Sequence, residues 1–292
     1  MRKSQSSMTA IGIAIVRAIE SEKPTTERIC YDPYARQFVN GALYHFVKFF
    51  DRLGYSERRG PGVMGFLTVR DRHIDEYLKT CLANGTQQVV ILGAGYDARA
   101  YRFEEFKRGV KVFEVDHPAT QQAKLKRLQK IFDEVPQHVT YVPIDFNTQT
   151  LEQRLRECGY DERVKTLFIW QGVTQYLTPE GVDGTLAFVS NHSAPGSSII
   201  FDYMYTSLLD GTVKHGEVSQ MRRNRWLSNE TLAFGIPEGT MESFLEQRGF
   251  MSVHDANFKY LHDTYFIGNN AKRTVADGYA IVSAVVKPRG IP

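Results

Sequence analysis

The stretch Gln88 to Asp116, QVVILGAGYDARAYRFEEFKRGVKVFEVD, constrains the fold more than any other part of the chain. Four apolar residues, Val89 to Leu92, run into a tight turn, Gly93-Ala94-Gly95. A short polar, helix-like stretch follows, and a second apolar strand, Val112 to Val115, ends on Asp116. Strand, glycine turn, helix, strand and acid make the unit that holds the adenosine half of a nucleotide-like ligand at the carboxyl ends of parallel strands. The glycines let backbone approach the ligand where a Cβ would collide. Asp116 lies 23 positions after Gly93, about where one carboxylate accepts hydrogen bonds from both ribose hydroxyls.

Taken alone, the unit fits more than one chemistry. Gly93, Gly95 and Ala98 satisfy the G-x-G-x-x-G/A spacing of dinucleotide enzymes, and the same strand-turn-strand opens the fold of S-adenosylmethionine (AdoMet) methyltransferases. A glycine turn after a buried strand is also plain topology. The acid closing the second strand favours a cofactor site over that bland reading.

Composition narrows the class. The chain has 292 residues, 42% of them hydrophobic, ample for a core. Its net charge of +3 is too mild to suggest nucleic acid, and the densest basic cluster, Arg222, Arg223 and Arg225, reads most simply as a solvated loop. Three widely spaced cysteines, Cys30, Cys81 and Cys158, form no C-x-x-C and suit reduced thiols better than a disulfide framework. The start, MRKSQSSMTAIGIAIVRAIE, superficially resembles a signal peptide, but its apolar stretch is short, Arg17 and Glu20 close it, and no small-residue cleavage site follows. An amphipathic helix is the expectation, with no membrane span and a cytoplasmic location.

Along the chain, helices are expected over residues 8–20 and 65–83, with a turn into another helix at YDPYARQFV and a mobile, glycine-rich loop over 52–63. Pro118 starts a helix to about Phe132, and Thr148 caps one through Cys158. Further strands fall at Val139–Val142, Leu167–Trp170, Ser198–Tyr203, within MSVHDANF and within GYAIVSAVVKP. Thr178-Pro179-Glu180 starts a helix, and residues 240–248 form another, ended by Gly249. The predicted class is α/β: a single Rossmann-like domain, with a mostly parallel seven-stranded sheet and helices on both faces. Residues 1–84 form an N-terminal helical cap and 85–292 the core, with an insertion at about 206–237 lying over the sheet's carboxyl edge.

Several motifs together, YDPYA, the arginine in FLTVRDRHID, VVILGAGYDARAYR, FEVDHP followed by Lys124, IDF and WQGVTQYLT, resemble the leucine carboxyl methyltransferase-like group of class I AdoMet methyltransferases. That group includes protein phosphatase carboxyl methyltransferases and bacterial enzymes directed at polyketide-type small molecules, and the bacterial subgroup is the closer likeness. The resemblance runs from about residue 10 to 203 and returns faintly near Gly249-Phe250. It implies roles residue by residue. Arg70 matches the arginine that pairs with the cofactor's methionyl carboxylate, Gly93 and Gly95 the turn beneath that methionine, and Asp116 the ribose acid. Asp145 and Phe146 match the pair beside adenine. Gln171 matches a position near the cofactor's amino group that is often glutamate. Glutamine still accepts a hydrogen bond there but brings no charge.

Methyl transfer is an in-line displacement at a carbon already activated by the sulfonium, so alignment and desolvation are the protein's main work. A carboxylate acceptor needs no general base, whereas a phenol or alcohol needs one, ideally a histidine. His73, His117, His215 and His262 are the histidines to test. His117 reads as structural, and none has a carboxylate at convincing spacing. Carboxylate methylation of a small-molecule acid is therefore the leading expectation. Its alternatives are a phenol methyltransferase with a histidine base, an NAD-dependent oxidoreductase, and a non-catalytic AdoMet-binding module. Tyr176, Tyr203 and His73 are positioning candidates, and Asp97 is expected to cap the helix after the glycine turn. Tyr34, Phe66, Tyr205, Arg222 and Arg225 are candidate substrate contacts, the tyrosines suiting a flat or aromatic acid. No metal motif is present, and the oligomeric state is left open.

Overall fold

The computed structural model describes residues 8–145, 148–211 and 232–288. Seven strands, β1 (Gln88–Leu92), β2 (Lys111–Asp116), β3 (Val139–Pro143), β4 (Thr166–Trp170), β5 (Ser198–Met204), β6 (Phe250–Ala256) and β7 (Tyr279–Val286), form one sheet in the order 3-2-1-4-5-7-6. The first five are parallel, and β7 runs antiparallel between β5 and β6. The mostly parallel sheet expected from the alternation of strands and helices is present, with an antiparallel pair at one edge.

Period-two alternation sends each strand's apolar residues to two cores. Val89, Ile91, Val112, Ile169 and Ile200 face the layer containing α1 (Met8–Ser21) and α4 (Val63–Ala83). Val90, Leu92, Phe113, Trp170 and Phe201 face α7 (Leu151–Glu157), α8 (Pro179–Asn191) and α10 (Met241–Glu246). Between these lie α2 (Gly41–Arg52), α3 (Tyr55–Arg59), α5 (Arg99–Arg102), α6 (Pro118–Phe132) and α9 (Thr206–Asp210), and α11 (Phe258–Tyr265) follows β6. The register places the strand ends in line. Leu92 pairs with both Val115 and Trp170, and Trp170 with Phe201, so one step on, Asp116, Gly93, Gln171 and Asp202 lie in one row at the carboxyl edge.

Local signals account for most boundaries. His117 caps α6 through its ring, with Pro118 in the first turn, and Thr178 caps α8 in the same way. Three expectations change. The cap of α7 is Thr150 rather than Thr148, since the Asp145 carbonyl takes the Thr148 and Gln149 amides in a turn before the helix. The segment 52–63 is not a free loop. It contains α3, and Glu57 accepts from the Gly62 amide at 2.8 Å and the Thr274 hydroxyl at 2.6 Å. Lastly, α4 closes the 1–84 segment by lying against β4 and β5 as a sheet-covering helix.

Helix α6 is tied to β2 by a buried pair, Lys124 Nζ to Glu114 at 2.7 Å, and Lys124 also donates to the Asp97 carbonyl at 2.7 Å. Burial pushes the Glu114 carboxyl up, against the opposing pull of Lys124. Removing one member of such a pair strands a charge, whereas replacing both with apolar groups does not. Lys124→Met should lower the unfolding free energy by about 3–5 kcal/mol in urea titration, and Lys124→Met with Glu114→Leu should recover most of it.

Candidate functional site

The row at the carboxyl edge gathers the candidate site. Gly93, at φ +66°, turns the chain out of β1, and a Cβ there would sit 2.4 Å from the Val173 side chain. Gly95, at φ +47°, lies under Ala10 of α1. The Gly95 amide donates to Asp116, and the His117 amide donates to the same carboxylate at 2.6 Å. Burial pushes the Asp116 carboxyl up, and these two amides pull it back. A carboxylate has about four acceptor positions, and these two amides take two of them.

Across the edge, Arg70 reaches from α4 to Asp202, Nη1 to Oδ2 at 2.6 Å, and the other oxygen of Asp202 accepts from the Gly172 amide at 2.6 Å. Arg70 is 2% exposed, yet its Nε and Nη2 have no hydrogen-bond partner. Those two nitrogens form one edge of the guanidinium, the fork that takes a carboxylate through two parallel bonds. The Phe66 ring lies beside Arg70, at 5.8 Å, and stacks on Tyr279 at 4.9 Å.

Beneath the row is a cluster of buried charges. Arg99 is fully enclosed. It donates to Asp75 at 2.7 Å, to Asp71 at 3.1 Å, to Gln171 Oε1 at 2.8 Å and to Asp97. Gln171 Nε2 in turn donates to Asp71 Oδ1 at 3.2 Å. Arg17 of α1 donates to the Tyr96 carbonyl and lies 3.3 Å from Asp32 and 3.7 Å from Asp71. Burial alone would push Arg99 down, but Asp97, Asp75 and Asp71 together hold it well above its usual range. Burial likewise opposes ionisation of Asp97, and Arg99 with Arg17 outweighs it and keeps that carboxyl well below its usual range.

The structure therefore brings Arg70, Gly93, Gly95, Asp116 and Gln171 to one edge. Asp145 follows β3 beside Asp116, and Phe66 and Tyr176 lie on the Arg70 side, Tyr176 on the short turn after β4. The N-cap of α5 is Ala98 rather than Asp97, which from one residue earlier accepts from the Arg99 amide at 2.7 Å and ion-pairs with the same residue. Phe146, His215, Arg222 and Arg225 lie outside the described residues. Sequence reading missed Asp202, Asp71, Arg17 and Arg99. Asp202 had a signal, an acid ending the apolar run of β5, whereas the arginines look like ordinary surface residues in the sequence.

Other candidates fall elsewhere. Tyr34 packs on Phe132 at 4.9 Å, at the far end of α6, roughly 20 Å along that helix from Asp116. Tyr203 points to the opposite sheet face, donating to Asp255 at 2.9 Å, with Tyr205 edge-on at 5.7 Å. His262 lies on α11 beside Asp263. His73 also faces away from the edge. Its Nδ1 lies 2.9 Å from the Tyr265 hydroxyl, which donates to Glu76, so His73 is the donor. Helical spacing placed His73 one turn from Arg70 correctly, but α11 and β6 cover that turn. Among the described residues, no cluster has the composition of a metal site, and no helix is long and apolar enough to cross a membrane. A cleft of about 390 Å³ lies apart from the row, between α1, the start of α4 and residues 272–274.

Burial, helped by His254, pushes His73 down from 6.5 to about 4. The neutral form thus stabilises the fold above pH 6.5, and that contribution is lost as pH falls toward 4. Urea unfolding should show wild type losing about 2–3 kcal/mol more than His73→Gln between about pH 7 and pH 4, the glutamine keeping a donor for Tyr265.

The chain is similar in sequence to several known proteins. YktD of Bacillus subtilis strain 168, named as an S-adenosyl-L-methionine-dependent methyltransferase, is 28% identical over 98% of this chain and 100% of its own length. A Mycolicibacterium smegmatis protein carrying the same description is 31% identical over 73% of this chain and 72% of its own. One from Streptomyces coelicolor is 32% identical over 65% and 66%. Residues 10–190, which include every residue of the carboxyl-edge row except Asp202, match the leucine carboxyl methyltransferase family, and the chain belongs to that family.

Proposed function

We propose that this family member transfers the methyl group of AdoMet to a carboxylate oxygen of a small organic acid, of polyketide or aromatic type. The family rules out the nicotinamide reading of the glycine turn. The residues present fit AdoMet. The open edge of Arg70 suits its carboxylate and the remaining acceptor positions of Asp116 suit a ribose diol, while Val173 and Ala10 fill the space a Cβ would take at Gly93 and Gly95. Asp145, two residues after β3, is the candidate acceptor for the adenine amine.

AdoMet supplies a methyl carbon activated by the attached sulfonium. The chain's own residues supply position and dryness. Arg70 fixes one end of the ligand and Asp116 the other, which sets the direction from which an acceptor can approach. Phe66, Tyr279 and Tyr176 offer an aromatic wall beside Arg70, suited to a flat acceptor. The observation that carries the carboxylate reading is the engagement of the edge's titratable groups. Asp116 accepts from two amides, Asp202 is held by Arg70 and Gly172, Asp97 by Arg99, and the His117 ring accepts from the Ala119 amide. A carboxylate acceptor is already ionised at neutral pH and asks none of them to take a proton.

Arg70→Ala and Asp116→Ala should each weaken AdoMet binding by about 1–3 kcal/mol in calorimetry, and unchanged affinity in both would remove the assigned site. With an aromatic acid as acceptor, kcat should stay flat from neutral to alkaline pH. A rising limb near neutrality would replace the carboxylate reading with a hydroxyl acceptor and a general base.

A further inference from the structure

The buried cluster under the edge is not electrically balanced. Three arginines, with Arg102 as the third, face four aspartates, so among the described residues one negative charge is in excess. Buried charges persist when something pairs with them. One atom marks where a partner is missing. Asp71 is 1% exposed, and its Oδ2 has no hydrogen-bond partner, while Oδ1 takes Arg99 and Gln171. Asp32 Oδ2 also lacks a hydrogen bond, but Arg17 Nε sits 3.3 Å from it.

The unpartnered acceptor belongs to the residue next to the unpartnered donor fork of Arg70. Consecutive helical residues point about 100° apart, and here they straddle one segment. Arg70 connects through Asp202 to the Gly172 amide, and Asp71 connects directly to Gln171. A free donor edge and a free acceptor on either side of one turn match an α-amino acid, which carries a carboxylate and an ammonium on one carbon.

We propose that Asp71 is the anionic acceptor for the ammonium group of the cofactor's methionyl arm, with Gln171 holding the Asp71 carboxylate in place. This rests on the reading that Arg70 takes the arm's carboxylate. Gln171 is neutral, and its Oε1 already accepts from Arg99. A glutamate at 171 would set a second carboxylate against Asp71 Oδ1, where the amide now donates at 3.2 Å. The charge facing the ammonium therefore comes from the helix, and the strand end supplies the neutral bridge.

Calorimetry with two ligands tests this: S-adenosylhomocysteine and its analogue lacking the amino group. Asp71→Asn should weaken the first about tenfold and the second less than twofold, since only the first carries the ammonium. Adding Gln171→Glu to Asp71→Asn returns the charge and should recover most of that loss. Equal loss for both ligands, no loss, or no recovery would overturn the proposal. If neither ligand binds wild type, or if Arg70→Ala changes neither affinity, it is the cofactor site itself that fails. Should Asp71→Asn not fold, wild type decides. The 15N-labelled amine of bound S-adenosylhomocysteine should keep its proton at least about one pH unit above its free value, and an unshifted or lowered value would overturn the assignment.

Discussion

Arg99 holds the carboxyl edge together. Its guanidinium, enclosed on every side, connects the turn after β1 through Asp97, helix α4 through Asp71 and Asp75, and the exit of β4 through Gln171. A buried charge of this kind costs several kcal/mol to desolvate and is tolerable when its partners are all in place. The cluster thus acts less as a source of net stability than as a gauge of position. Moving the turn or α4 would leave a charge unpaired, and moving the exit of β4 a buried amide, in a medium where either is expensive.

Arg17 extends the same logic to α1. By reaching the Tyr96 carbonyl and Asp32, it brings the first helix down over the glycine turn, where Ala10 meets Gly95. Helix α1 therefore lies over the glycine turn. Arg70 and Asp202 do the equivalent on the far side, fixing α4 to the end of β5 and to the Gly172 amide. Arg70 Nε and Nη2 are left without a hydrogen-bond partner at the end of this chain of contacts.

Much of this was legible in the sequence, for reasons that are local. The apolar runs ending in Gly93, Asp116, Asp145 and Gln171 mark strand termini, because side-chain alternation and turn chemistry operate over a few residues. First-turn prolines placed the starts of α6 and α8 at Pro118 and Pro179 for the same reason. Where local rules competed, the reading slipped. Thr148 and Thr150 both look like caps, and only the turn closed by the Asp145 carbonyl chooses between them. Tyr203 was a positioning candidate, but it alternates to the face opposite Asp202 and meets Asp255.

The sequence by itself determined the order of elements, the strand ends that form the edge, and the family to which the chain belongs, since each rests on short-range pattern and spacing. Tertiary structure alone decided which charges are buried together. Arg17, Asp71, Arg99 and Asp202 are distant in the chain, and apart from the apolar run before Asp202 nothing in their immediate neighbours distinguishes a buried ion from a solvated one. Their partners, their desolvation, and hence the Arg70 and Asp71 atoms that lack a hydrogen-bond partner arise when α1, α4 and the sheet close on one another.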